Sequence, residues 1–173
     1  MEFTFEKWNA NYLSDFMEAM KDPHLSDKMC EELPFPMDSA YASEYIRDRM
    51  LNSEERQICR AVVCDDKAVG GIDVIFGEGV FEKNGELSLW IAKEYRRKGL
   101  GSEVISKICQ ICFEEYDIIR IEARPYTMHN EAIAALNNSG FRNEGTIRSG
   151  IFKNGKAYDF EVYAVLKDEF LKR

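Results

Sequence analysis

Residues 86 to 102 read Glu-Leu-Ser-Leu-Trp-Ile-Ala-Lys-Glu-Tyr-Arg-Arg-Lys-Gly-Leu-Gly-Ser, and the hydrophobic period changes inside them. Over residues 86–91, Leu87, Leu89 and Ile91 alternate with Glu86, Ser88 and Trp90, the two-residue period of a strand. From Gly99 to Glu115 the period becomes helical, with Leu100, Val104, Ile105, Ile108, Ile111 and Cys112 on one face. Between the two lie Arg96, Arg97 and Lys98, then Gly99, Leu100, Gly101 and Ser102. Glycines at such a turn let the backbone approach a ligand, and the first amides of a helix, aided by its dipole, receive a diphosphate. Three consecutive cations add charge complementarity; a glycine-containing helix start with solvated basic residues is the plain alternative. A dinucleotide fingerprint fails because Val104 stands where the third glycine belongs, and a P-loop fails because the order is Lys-Gly-Leu-Gly-Ser.

Working outward, Phe3 and Phe5 alternate as in a short first strand, and residues 9–20 carry Tyr12, Leu13, Phe16, Met17 and Met20 at helical spacing. Residues 22–37 hold three of the four prolines and read as a long ordered loop. Asp38 can cap a helix bearing Tyr41, Tyr45, Ile46 and Met50. From Gln57 two apolar runs separated by Asp65-Asp66 read as a hairpin. Past the central helix come a strand over residues 118–123, a helix beginning near Asn130, and two long strands, 141–152 and 158–166, joined through Asn154-Gly155. The order β-α-α-β-β-β-α-β-α-β-β describes an α+β chain with a twisted, mixed and mostly antiparallel sheet flanked by helices. Its middle should form one right-handed parallel crossover.

Composition sets the bounds. A chain of 173 residues that is 45% hydrophobic can bury one substantial core, so a single domain over residues 1–173 is expected. No run approaches the roughly 20 apolar residues that span a bilayer, and the N-terminus lacks the pattern of a signal peptide, so a soluble cytoplasmic protein with no membrane partner is expected. Five cysteines without framework spacing are expected to be reduced thiols. The net charge of -8 argues against a duplex nucleic-acid partner and weakly favours cationic acceptors.

The chain resembles the GNAT superfamily of N-acetyltransferases, in its RimJ/RimL-like branch. Arg96, Gly99 and Gly101 match that family's acetyl-CoA motif Q/R-x-x-G-x-G/A, while His129-Asn130-Glu131-Ala132, Ser139-Gly140-Phe141 and the closing hairpin are similar to its later signatures. The resemblance implies the GNAT acyl-CoA N-acyltransferase fold and transfer of the acetyl group of acetyl-CoA to a primary amine by direct attack in a ternary complex. It implies that Leu89, Trp90 and Ile91 orient pantetheine through their backbone, that Arg96, Arg97, Lys98, Gly99, Leu100, Gly101 and Ser102 hold the diphosphate, and that Asn130 contacts the cofactor. The amine must lose a proton to a base. Glu86 is the first candidate, with an exposed strand-end charge as its alternative, and Asp159 and Glu161 stand behind it. The family's thiolate-protonating Tyr falls at Leu136, which leaves Tyr126, Ser139 or solvent for that task.

Acceptor identity stays open among a protein N-terminus, an amino acid, a polyamine and an amine antibiotic. The acidic loop over residues 30–38 tilts it toward a small cationic amine. A noncatalytic acyl-CoA binding module is the second reading, and a nucleotide-phosphate hydrolase a third. Cys109 and Cys112 read as two small hydrophobes on a helix stripe rather than a metal pair, no metal site is expected, and His129 reads as a cap or loop residue. Trp8 and Trp90 read as core or cleft-wall residues. The state is monomer or homodimer, since exposed edges of the last hairpin can support a dimer without requiring one.

Overall fold

The computed structural model describes residues 1–29, 33–51 and 56–172. Seven strands form one sheet in the order β1-β2-β3-β4-β5-β7-β6: β1 Thr4–Glu6, β2 Gln57–Cys64, β3 Lys67–Phe76, β4 Asn84–Ile91, β5 Arg120–Ala123, β6 Arg142–Lys153 and β7 Lys156–Leu166. Helices α1 Leu13–Ala19, α2 Pro23–Lys28, α3 Ser39–Leu51, α4 Leu100–Glu115, α5 Asn130–Asn138 and the short α6 Lys167–Phe170 accompany them. β4 and β5 are parallel, whereas β1/β2, β5/β7 and β6/β7 are antiparallel, the expected α+β arrangement. By contact the chain divides into two compact units: residues 1–74 with 89–98, and residues 75–88 with 99–173.

The turns follow from backbone chemistry. Asp65 and Asp66 both take positive φ (48° and 63°), as do Asn154 and Gly155 (51° and 73°). Two successive left-handed residues give the turn whose twist matches the flanking strands. Asp, Asn and Gly are the residues that adopt it at least cost.

The first unit is built on aromatic packing. Trp8, Tyr12, Phe16, Tyr45 and Trp90 are all buried in one cluster with Ala42, Ile46 and Met20. Phe16 stacks on Tyr45 at 4.3 Å, while Trp8 meets Phe16 and Tyr45 edge-on at 6.2 Å. The indole of Trp90 donates to the Tyr45 hydroxyl at 3.3 Å. Gly71 has no room for more: a Cβ there would lie 2.5 Å from that indole nitrogen.

One expectation for this unit is corrected. Residues 22–37 are not all loop, because Asp22 caps α2 with Pro23 in its first turn. Capping oxygen followed by proline is a helix-start signal, hidden here by the shortness of the helix. Asp38 does cap α3, accepting from the Tyr41 N–H at 2.8 Å, but Met50 lies half exposed rather than on the buried face.

In the second unit α4 buries Leu100, Val104, Ile105, Ile108, Cys109, Cys112 and Phe113. Each fully buried aliphatic side chain there contributes about 1.5–3 kcal/mol. Ile121, Leu136, Phe141 and Val165 are among the other buried residues of that unit.

The first unit also holds a buried ion pair. Arg49 donates from Nε (3.0 Å) and a terminal nitrogen (2.7 Å) to Asp73 Oδ2, and its guanidinium lies 3.4 Å over the Tyr45 ring. Burial pushes the Asp73 carboxyl up, and Arg49 opposes that shift. Replacing Arg49 leaves only the Cys59 hydrogen bond against burial, so Arg49→Met should lose about 3–5 kcal/mol of stability near neutral pH. The folded carboxyl then binds its proton more tightly than the unfolded one, whose value is 3.8. The folded state therefore gains protons as pH falls from neutral toward 4, and denaturation of Arg49→Met across that range should show the deficit shrinking.

Candidate active site

β4 carries the first group of candidate residues. Its parallel register with β5 runs from Asn84, Gly85 and Glu86 against Arg120, Ile121 and Glu122, although β4 continues to Ile91. Leu89, Trp90 and Ile91 lie on that continuation. Gly70 is pressed against it, since a Cβ there would stand 2.7 Å from the Trp90 carbonyl oxygen. The Trp90 side chain is 3% exposed inside the aromatic cluster, so the core reading of the indole holds and only its backbone faces the functional question.

The turn after β4 is bent by left-handed residues. Arg97 takes φ 59° and Gly99 takes φ 84°, and Gly99 caps α4. A Cβ at Gly99 would meet only a Glu103 carboxylate oxygen at 3.7 Å, so space above it is open. The N–H groups of Ser102 and Glu103 return to the Gly99 carbonyl at 3.1 and 3.2 Å. Those of Leu100 and Gly101 belong to the first helical turn, where no intrahelical carbonyl reaches them. A left-handed residue followed by a right-handed one makes a concave nest of amides suited to an anion.

The three cations of the turn separate. Arg97 and Lys98 are exposed, with the Lys98 ammonium 5.7 Å from the Tyr95 ring centre. Arg96 turns inward: Nε donates to the Ile91 carbonyl at 2.8 Å, and a terminal nitrogen lies 2.8 Å from Asp22 Oδ2. Of the three cations, Arg96 is thus the one drawn into the first unit. Motif spacing singles out Arg96 from Arg97, but its inward turn is not legible locally, since Asp22 lies at the cap of a helix far away in sequence.

Helix α5 opens at Asn130 behind His129, which makes no side-chain cap. Ser139, at its other end, is buried and directs Oγ at the carbonyls of Ser102 (3.0 Å) and Ala135 (2.9 Å). Its one proton is thus committed to carbonyl acceptors, which makes Ser139 a tie between α5 and the first turn of α4 rather than an acid. Leu136 is 3% exposed, so the position of the family Tyr is a core position here.

Glu86 is exposed on β4, with Oε2 3.3 Å from Arg124. Arg124 also donates to Glu122 at 2.7 and 3.0 Å, Glu122 accepts from Arg120 at 3.0 Å, and Arg120 grips Glu144 with two donors at 2.8 and 2.6 Å. Glu86 is the open end of this chain of charges. At its other end, the hydrogen bond from Arg120 holds the Glu144 carboxyl below its ordinary 4.5.

The alternatives on the last hairpin are differently engaged. Asp159 accepts from the Ser149 N–H at 2.7 Å, steadying a bulge where Ser149 takes φ 52°, and Glu161 accepts from the Asn143 amide at 2.9 Å. Phe160 lies against Gly150, where a Cβ would come within 2.3 Å of its ring. Tyr126 is buried against Tyr158 with ring centres 5.6 Å apart.

Comparison with known proteins decides the family. Residues 2–142 match the acetyltransferase (GNAT) domain. The chain belongs to the GNAT acetyltransferase family. This GNAT chain is 28% identical over 142 residues to the SPbeta prophage-derived uncharacterized N-acetyltransferase YokL of Bacillus subtilis, covering 81% of the chain and 77% of that protein. Its fold matches the ribosomal α-N-protein acetyltransferase RimL, solved with coenzyme A, at a TM-score of 0.84 and 12% identity, over 95% of this chain and 93% of that one. It also matches the spermidine N-acetyltransferase of Vibrio cholerae, solved with CoA and spermine, at 0.81 and 18%, over 98% of each.

Four cysteines of this GNAT chain, Cys59, Cys64, Cys109 and Cys112, are buried free thiols; Cys30 lies outside the described residues. Burial pushes Cys59 and Cys112 up to about 12, aided by Asp73 and Glu115 respectively, and raises Cys64 and Cys109 as well. A thiol needs its thiolate to carry an acyl group. In a Cys30→Ser background, a disulfide reagent such as DTNB at about pH 8 should label none of the four rapidly before denaturation, and all of them after it. A fast-reacting native thiol would reinstate an acyl-carrier route.

Proposed function

We propose that this chain transfers the acetyl group of acetyl-CoA to a primary amine, by direct attack within a ternary complex. Residues 1–173 act as one acetyltransferase domain in this reading. The observation that carries it is the left-handed bend at Arg97 and Gly99, which opens α4 with unclaimed amides at Leu100 and Gly101. The diphosphate would rest on those amides and on Ser102, with Arg97 and Lys98 supplying charge. The end of β4 at Leu89, Trp90 and Ile91, beyond its register with β5, would hold the pantetheine arm as an added strand. Asn130, opening α5, would complete the cofactor contacts.

Glu86 would take the proton released as the amine nitrogen forms its bond to the acetyl carbon and the carbon–sulfur bond breaks. Its half-exposed carboxylate, paired among the described residues with Arg124, supports this role, because an incoming ammonium can replace a guanidinium there. The acceptor would be a small cationic amine, in keeping with the net charge of -8; the acidic residues Glu31 and Glu32, which also suggested it, lie outside the described residues. Spermine in the structure of the spermidine N-acetyltransferase supports the same class. A cytoplasmic location fits this substrate class, and no helix among the described residues is long and apolar enough to cross a membrane. The buried Leu136 favours one rival, an acyl-CoA binding module without turnover.

Release of CoA thiol from acetyl-CoA should therefore be measured against polyamines, amino acids, aminoglycosides and N-terminal peptides, with calorimetric CoA binding on the same preparation. Polyamines or other small cationic amines should turn over, and Glu86→Gln should reduce kcat by about 10²–10⁴-fold while leaving CoA binding intact. Binding without turnover across the panel would instead establish the rival, and absence of CoA binding would remove the proposal altogether.

A further inference from the structure

The two carboxylate oxygens of Asp22 do different work. Oδ1 accepts from the His24 N–H at 3.0 Å and caps α2, while Oδ2 forms the 2.8 Å ion pair with Arg96, the two side chains being 14% and 17% exposed. Arg96 in turn donates Nε to the Ile91 carbonyl at 2.8 Å. The remaining terminal nitrogen of Arg96 and Asp22 Oδ2 are both buried with no hydrogen-bond partner among the described residues, so Asp22 and Arg96 meet as a close ion pair without hydrogen-bond geometry. A guanidinium is a rigid fork of donors. Here the fork spans the last carbonyl of β4 and the cap of α2, and its root is the residue before the left-handed Arg97.

We propose that Asp22 and Arg96 are a positioning pair for the cofactor turn. Arg96 serves the diphosphate by fixing the backbone of the turn and not by contacting phosphate, and Asp22, although acidic, strengthens the binding of a polyanion. The inference rests on the cofactor reading above. It makes a prediction of sign that charge alone reverses. Removing a carboxylate from beside an anion site should tighten anion binding, most at low salt. Removing a brace from the turn should weaken it, because amides that must be ordered on binding lose affinity.

The test is calorimetric titration of the full chain with CoA, at low and moderate salt, for wild type, Asp22→Asn, Arg96→Gln and the double variant. Asn caps a helix about as well as Asp, so Asp22→Asn removes the ion pair and keeps the cap; Asp22→Ser replaces it should the Asn variant fold poorly. Each single change should weaken CoA by about three- to thirtyfold, and the double variant should bind no worse than Arg96→Gln, since one interaction is lost only once. The KM for acetyl-CoA should rise with kcat at saturation little changed.

Arg49→Met, destabilised in the same unit, should bind CoA within about twofold of wild type, separating bracing of the turn from general loss of stability. Unchanged or tighter binding by Asp22→Asn, additive losses in the double variant, or an equal loss in Arg49→Met would each overturn the pair. If wild type itself binds no CoA, the cofactor reading falls instead.

Discussion

Between Ile91 and Leu100 the chain must leave a strand, bend back and enter a helix with its first amides exposed. Arg97 does this in the left-handed region, at a cost of about 1–2 kcal/mol for a residue with a Cβ. Such a conformation persists only where surroundings over-determine it. The inward turn of Arg96 supplies that constraint, tying the start of the bend to the Ile91 carbonyl and to Asp22, while Gly99 completes the bend without steric cost. On the helix side, Ser139 holds the Ser102 carbonyl and so steadies the first turn of α4. Each end of the bend is thus held within its own unit, by side chains that need not touch an anion.

Much of the fold was legible because it is local. The change of period across residues 86–115 marked β4 and α4, and Asn154-Gly155 marked the last hairpin, since each signal depends only on residues close in the chain. The glycine turn was legible for the same reason. The candidate base was only partly so. A carboxylate on a strand is visible in the sequence, but its ion-pair chain through Arg124, Glu122, Arg120 and Glu144 is assembled from three strands.

What escaped the sequence is non-local. The inward turn of Arg96 is not legible until Asp22 is placed beside it. Nothing in the sequence singles out Asp73, yet with Arg49 it forms a buried charge pair in the first unit. Ser139 reads as a candidate for protonating the thiolate and turns out to bridge two helices. The missed α2 is the exception: its Asp22-Pro23 start was present, but a helix of six residues yields too little periodicity to outweigh three nearby prolines.

Among the described residues, the two outermost strands of the sheet limit edge pairing by different means. β1 is only three residues long, too short to template an incoming chain. β6 is twelve residues long and largely exposed, but register shifts at Asn143/Gly145 and Ile147/Ile151 break its pairing into pieces of two and three residues. The bulge around Ser149 therefore shapes the hairpin and also denies a second molecule a continuous row of backbone donors and acceptors. Irregularity in the long strand thus breaks up the edge as brevity does in the short one.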